Sequence, residues 1–183
     1  MRLKSCPALL AGAFGLIMSG LASAQLKSAE PLDETADWAT RSWQEAPIDL
    51  PAMPKAVDLL PFDDSAASTQ RFSIDAKSLT LGADDVVRYT LVSVSPSGAK
   101  NISYEGIRCQ TYERKIYASG RIDGSWSEAR NSQWAPIRGL GVNRQHASLA
   151  QDYFCANTTI AGTAADMLNR LQRRATLTGE LNR

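Results

Sequence analysis

An α+β fold is what this sequence predicts: an antiparallel β-meander of about five strands packed with two C-terminal helices, a peripheral N-terminal helix and a Pro-rich strap. Three observations carry that expectation. The middle third sets runs of β-branched and aromatic residues between short turn signals, the last third changes to an apolar period of 3.6 residues, and residues 25–54 hold a short helical pattern followed by three prolines. The chain has 183 residues, 44% hydrophobic and 21% charged, enough for one compact core and too few for two ordinary domains.

The strands are expected at Val57 to Phe62, Arg71 to Asp75, Val86 to Ser95, Asn101 to Gln110 and Tyr112 to Ser119. Ser95-Pro96-Ser97-Gly98 places Pro at the second position of a turn, which makes the third and fourth strands a hairpin. Asp123-Gly124 supplies a further turn. Strands following one another through short turns favour an antiparallel meander over parallel β-α-β units.

Further along, His146, Leu149, Ala150, Tyr153 and Phe154 form one apolar stripe at helical spacing, opposite Arg144, Ser148, Gln151 and Asp152. Asn143 is the expected cap. On a regular helix Cys155 points about 180° away from His146, toward the polar face, so the helix is expected to end there with Asn157 as a left-handed terminator. Thr163 and Asp166 have the spacing of a capping box for a second helix bearing Ala164, Met167, Leu168 and Leu171.

At the other end, Asp33 suits the cap of a short helix reaching about Glu45, with Ala36, Ala39 and Trp43 on one side. Pro47, Pro51 and Pro54 then prevent regular helix and leave an extended strap. Trp38 and Trp43 suit anchors for it, and as exposed aromatics they equally suit a partner.

The first 24 residues read as a cleavable signal peptide. Arg2 and Lys4 precede the uncharged run Ala8 to Leu21, and Ala22-Ser23-Ala24 has the small-x-small pattern of a cleavage site before Gln25. The run is shorter than a membrane span, and Gly12, Gly15 and Gly20 interrupt it. The expected organisation is therefore a signal peptide over 1–24, the peripheral helix and strap over 25–54, a single α+β domain over 55–175 and a frayed tail over 176–183. Cleavage removes Cys6 and leaves Cys109 and Cys155 in an oxidising compartment, where a disulfide is the default. Closing 46 positions restricts the unfolded chain by about 4 kcal/mol on the loop-entropy account. The alternative, a redox pair or reactive thiol, lacks both a Cys-x-x-Cys spacing and an adjacent cation cluster.

A net charge of +1 shows no basic excess of the kind nucleic acid demands. The distribution is uneven, however. Gln25 to Ala99 carries six basic and twelve acidic residues, and Lys100 to Arg183 twelve basic and seven acidic. Arg108, Arg114, Arg121 and their neighbours interleave with Tyr112, Tyr117, Trp126 and Trp134, a candidate surface for an anionic or carbohydrate-bearing partner. The alternative is that the acidic strap lies against the basic half and satisfies much of this charge internally, and aromatics at strand spacing usually serve a core.

The runs Val87-Arg88-Tyr89-Thr90-Leu91-Val92, Ser95-Pro96-Ser97-Gly98-Ala99, Tyr104-Glu105-Gly106-Ile107-Arg108-Cys109 and Asp152-Tyr153-Phe154-Cys155 resemble the cryptic neisserial protein-like family of exported Gram-negative proteins. The resemblance implies an envelope location and supplies no catalytic residues. A second likeness, of pattern rather than identity, is to the surface adhesin E family. It rests on the strand order, Ile74-Asp75-Ala76-Lys77-Ser78, and the two cysteines Cys109 and Cys155.

His146 is the single histidine. Without a second imidazole or a free thiol, a metal site around it needs carboxylates alone, and no Gly-x-Ser-x-Gly elbow is present to place a nucleophile. Asp63-Asp64 and Asp84-Asp85 offer paired carboxylates, but at strand ends these read as solvated turn residues. No phosphate-cradling loop or dinucleotide fingerprint occurs, and no cofactor is expected. The expectation is an exported, non-enzymatic protein of the periplasm or cell surface that binds another envelope or extracellular macromolecule. It involves neither nucleic acid nor membrane insertion after processing. The competing class is a periplasmic hydrolase with His146 as general base.

Overall fold

The computed structural model describes residues 42–64, 68–139 and 144–181. The signal peptide, Trp38, the proposed helix up to residue 41 and the Asn143 cap lie outside them. Among the described residues the main sheet has eight strands: β1 (Leu59–Phe62), β2 (Arg71–Asp75), β3 (Thr80–Leu81), β4 (Val86–Val94), β5 (Lys100–Arg108), β6 (Glu113–Gly120), β7 (Trp126–Glu128) and β8 (Ala135–Pro136). The order β1-β2-β4-β5-β6-β7 is antiparallel throughout, with β3 beside β4 and β8 beside β6.

The hairpin read from Ser95-Pro96-Ser97-Gly98 sets the register of the centre. β4 and β5 pair from Val86↔Arg108 to Val94↔Lys100, and Gly98 takes a φ of 85° that its missing Cβ permits. Residues directly opposite share a face, which sends Val87, Tyr89, Leu91 and Ile107 to one side and Val86, Arg88, Thr90, Val92 and Tyr104 to the other. Both sides are covered: Val86 to Val92 are all buried, as the nearly unbroken apolar run of that strand requires.

The first side carries the main core, where α1 (Arg144–Ser148) runs directly into a π-helical segment (Leu149–Phe154) and packs with α2 (Ala164–Arg173) on the sheet. Tyr89, Ile107, Leu149, Phe154, Met167 and Leu171 are each at most 2% exposed. The predicted capping box of α2 is present, Thr163 accepting from the Asp166 N–H while Asp166 accepts from that of Thr163.

The second side is covered by the strap. Residues 42–54 form neither helix nor strand, which corrects the expectation of helix up to Glu45 at Ser42 to Glu45. Pro47 disfavours a helical Ala46, and two anchors draw the chain out instead: the Trp43 indole donates to the Asp84 carbonyl at 2.8 Å, and the Ala46 N–H to the Asp84 carboxylate at 2.8 Å.

Other departures have local causes. The strand count exceeds five because β3, β7 and β8 are two or three residues long, too short to show a period. The helix does not stay regular to Cys155, whose N–H bonds Ala150 five residues back; the wider turn re-aims Cys155 into the core, 4% exposed. Asn157 does take a positive φ, 60°, but as the turn of a small ribbon between β9 (Cys155–Ala156) and β10 (Thr159–Ile160). Where a frayed tail was expected, Leu177–Leu181 forms a short helix, α3, begun by the Gly179 N–H donating to Thr176 Oγ1.

Candidate functional site

On the strap side the sheet carries a polar layer. Asp84 and Arg88, four residues apart across the turn into β4, form a two-pronged ion pair at 2.9 and 2.5 Å. Neither is a solvated turn residue: they are 8% and 5% exposed. Burial pushes the Asp84 carboxyl up, and the Arg88 bonds with the Ala46 N–H more than offset it, leaving its pKa below the ordinary value. Gly82 makes room, since a Cβ there would lie 2.2 Å from Asp84 Oδ1 and 2.3 Å from Arg88 Nη1.

Beside this pair the strap's Glu45 is clamped to β6. Lys115 Nζ donates to Oε2 at 2.6 Å and Tyr117 Oη to Oε1 at 2.7 Å. Burial pushes the Glu45 pKa up, and the bonds from Lys115 and Tyr117 with the Lys115 charge more than offset it, leaving it below the usual value. The Trp134 indole N–H also faces the carboxylate, but short of full hydrogen-bond geometry, and has no other partner. Tyr117 is the extra residue of a bulge, Tyr104 pairing with Ala118 and Glu105 with Ile116. Its ring lies over Gly106, where a Cβ would come within 2.7 Å of Oη. Between strap and β6 an open cleft of about 460 Å³ is lined by Glu45, Ile48, Leu50, Lys115, Tyr117 and Glu128, among others.

The other side of the sheet holds the histidine. His146 Nε2 and Glu105 Oε2 are 2.7 Å apart, and Ser103 Oγ and Tyr89 Oη also donate to that carboxylate, at 2.5 and 3.3 Å. Burial raises the Glu105 pKa, but the hydrogen bond and charge of His146, with Ser103 and Arg114, bring it below the ordinary value. An ionised carboxylate only accepts, so Nε2 carries the proton of this bond. His146 is 3% exposed and Glu105 2%, and His146 Nδ1 is buried without a partner. As arranged, the pair ties α1 to the sheet and is almost wholly shielded from solvent.

The seven residues proposed as a binding surface do not form one exposed patch. Arg108 stacks on Trp43 at 3.9 Å; Tyr112 is half-buried against the main core; Arg114 lies on the Glu105 side; Tyr117 is buried. Trp126 packs on Tyr104 and donates to Pro51 at 2.7 Å, and Trp134 meets Trp43 edge-on at 5.9 Å. Arg121 alone of the seven is exposed, at the tip after β6. Sequence reasoning passed over Glu45, Arg88 and Glu105 and read Asp84 as a solvated turn residue; the one local signal, for the neighbourhood of Glu105, was Gly106 inside an expected strand. Cys109 and Cys155 are joined as a disulfide, Cα to Cα 5.5 Å. Among the described residues no cluster of three or more His, Cys, Asp or Glu is placed to hold a metal ion, and no helix is long and apolar enough to cross a membrane.

These features define a disulfide-linked antiparallel α+β sheet with helices on one face and a side-chain-anchored strap on the other. The chain belongs to the CNP1-like family, whose family model matches residues 38–172. No curated protein and no solved structure matches it.

Proposed function

We propose that the protein is exported, is processed before Gln25, and acts in the periplasm or at the cell surface by binding another envelope or extracellular macromolecule through the strap side of its sheet. The observation that carries this reading is the open cleft of about 460 Å³ beside the strap, with apolar Ile48 and Leu50 next to charged Lys115 and Glu128. The lining is mixed rather than apolar, and a concave surface that sets polar and charged groups beside apolar ones offers a partner both contact area and orientation. The hydrolase alternative needs His146 at a surface, and a general base must come within hydrogen-bond reach of its substrate; a histidine 3% exposed on a carboxylate 2% exposed speaks against it. The test is affinity capture from envelope extract with the oxidised chain and with His146→Gln. The same captured macromolecule in both supports binding. Turnover of an envelope substrate that His146→Gln abolishes at an unchanged melting temperature overturns it.

A further inference from the structure

The donors around Glu45 form a receptor for a carboxylate on the sheet itself. Lys115 Nζ and Tyr117 Oη reach the two oxygens from β6, at 2.6 and 2.7 Å. The Trp134 N–H, on the loop beyond β7, faces the same carboxylate and is left without a full bond. The ammonium is further enclosed by aromatic rings, 5.3 Å from the Tyr117 centroid and 5.9 Å from that of Trp134. Lys115 keeps 15% of its side-chain surface, and Tyr117 as a residue is 6% exposed. A partly buried ammonium left without its carboxylate loses compensation for its desolvation, so this group favours an anion in that place.

What supplies the anion is the strap, a segment that pairs with no strand and is fastened by side chains. Glu45 itself is more exposed than Lys115, at 22% of its side-chain surface against 15%, and it lines the open cleft. One receptor donor remains unsatisfied, so the occupant in cis is an imperfect fit.

We propose that Lys115, Tyr117 and Trp134 form a carboxylate-binding site that Glu45 fills in cis, and that the ligand taken in trans is an acidic side chain or terminal carboxylate of a protein partner entering from the cleft. This deepens, and rests on, the binding reading above. The strap then sets the affinity: the site is competent only in the fraction of molecules from which Glu45 has withdrawn, and apparent affinity falls by that fraction.

The experiment uses the purified full chain with acetate and N-acetyl-Ala-Glu-Ala-amide as probes, and acetamide and the Gln tripeptide as controls. The Trp134 indole N–H resonance is the readout. Glu45→Ala removes a group the size of acetate, so both acidic probes shift that resonance and bind on the order of tenfold or more tighter than to the unaltered chain. Adding Lys115→Gln abolishes the shift. If Glu45→Ala does not fold, Glu45→Gln keeps the side chain's volume and still shows the preference for acid over amide. An unshifted resonance, equal binding of the amide controls, or binding that survives Lys115→Gln overturns the site. An envelope partner still captured by Lys115→Gln overturns it too, while leaving the broader binding reading intact. Acetate binding with no macromolecule captured by any variant supports the site and overturns the broader reading.

Discussion

Glu105 and His146 meet in the core at 2.7 Å, and each is the condition for burying the other. Removing one partner of a buried pair costs about 3–5 kcal/mol, because the remaining group is left without compensation. His146→Leu is therefore expected to lose stability of that order in urea denaturation, and His146→Gln less. The pH dependence has a definite sign. Glu105 has a lower pKa folded than unfolded, so its contribution is complete above the unfolded value of about 4.3 and is lost as pH falls through the folded one. The difference between the native chain and His146→Leu should be largest near neutral pH and shrink below about pH 4. An undiminished difference in acid would separate the two residues. His146 was legible in the sequence as a lone imidazole on an apolar stripe. Glu105 was not, since an acidic residue within a strand reads as a solvent-facing position until the helix above it is placed. Asp84 was misread for the same reason: an Asp doublet before a strand gives no sign that Arg88 will fold back on one of the two.

β6 departs from regularity at the bulge opposite Tyr104 and Glu105, and its extra residue, Tyr117, makes the contact to the strap. Gly106→Ala places a methyl group 2.7 Å from Tyr117 Oη and 3.0 Å from Val86 Cγ1. It is expected to cost about 1–3 kcal/mol as overpacking; full stability in thermal unfolding would contradict this. The disulfide joins the end of β5 to the end of the π-helical segment. Cys109→Ser and Cys155→Ser should each cost about 4 kcal/mol under denaturant, the loop-closure value for 46 residues, and the double variant no more than either single one. The long strands were legible from runs of β-branched and aromatic residues between turn signals, and both helix stripes from an apolar period repeated several times. A two-residue strand such as β3 or β8 has no period, and the π-helical widening after Ser148 depends on packing against the sheet, so neither shows in the local sequence.

For the molecule as a whole, the acidic N-terminal part does meet the basic part internally: Glu45 pairs with Lys115 across 70 positions, and the Trp43 ring carries Arg108. That arrangement takes Lys115 and Arg108 into contacts within the chain and away from the candidate surface. The proposed route of the chain is tested by N-terminal sequencing of protein from its native compartment, which should begin at Gln25; an intact Met1 on exported protein contradicts it. The central claim is that the strap-side cleft is where a partner binds, and photo-crosslinking in living cells tests it most directly. A photoreactive residue at Ala129, within the cleft, should trap a discrete macromolecular adduct, and one at Val57, 88% exposed and preceding β1 at the opposite edge of the sheet, should not. An adduct from position 57 with none from position 129 would contradict the account.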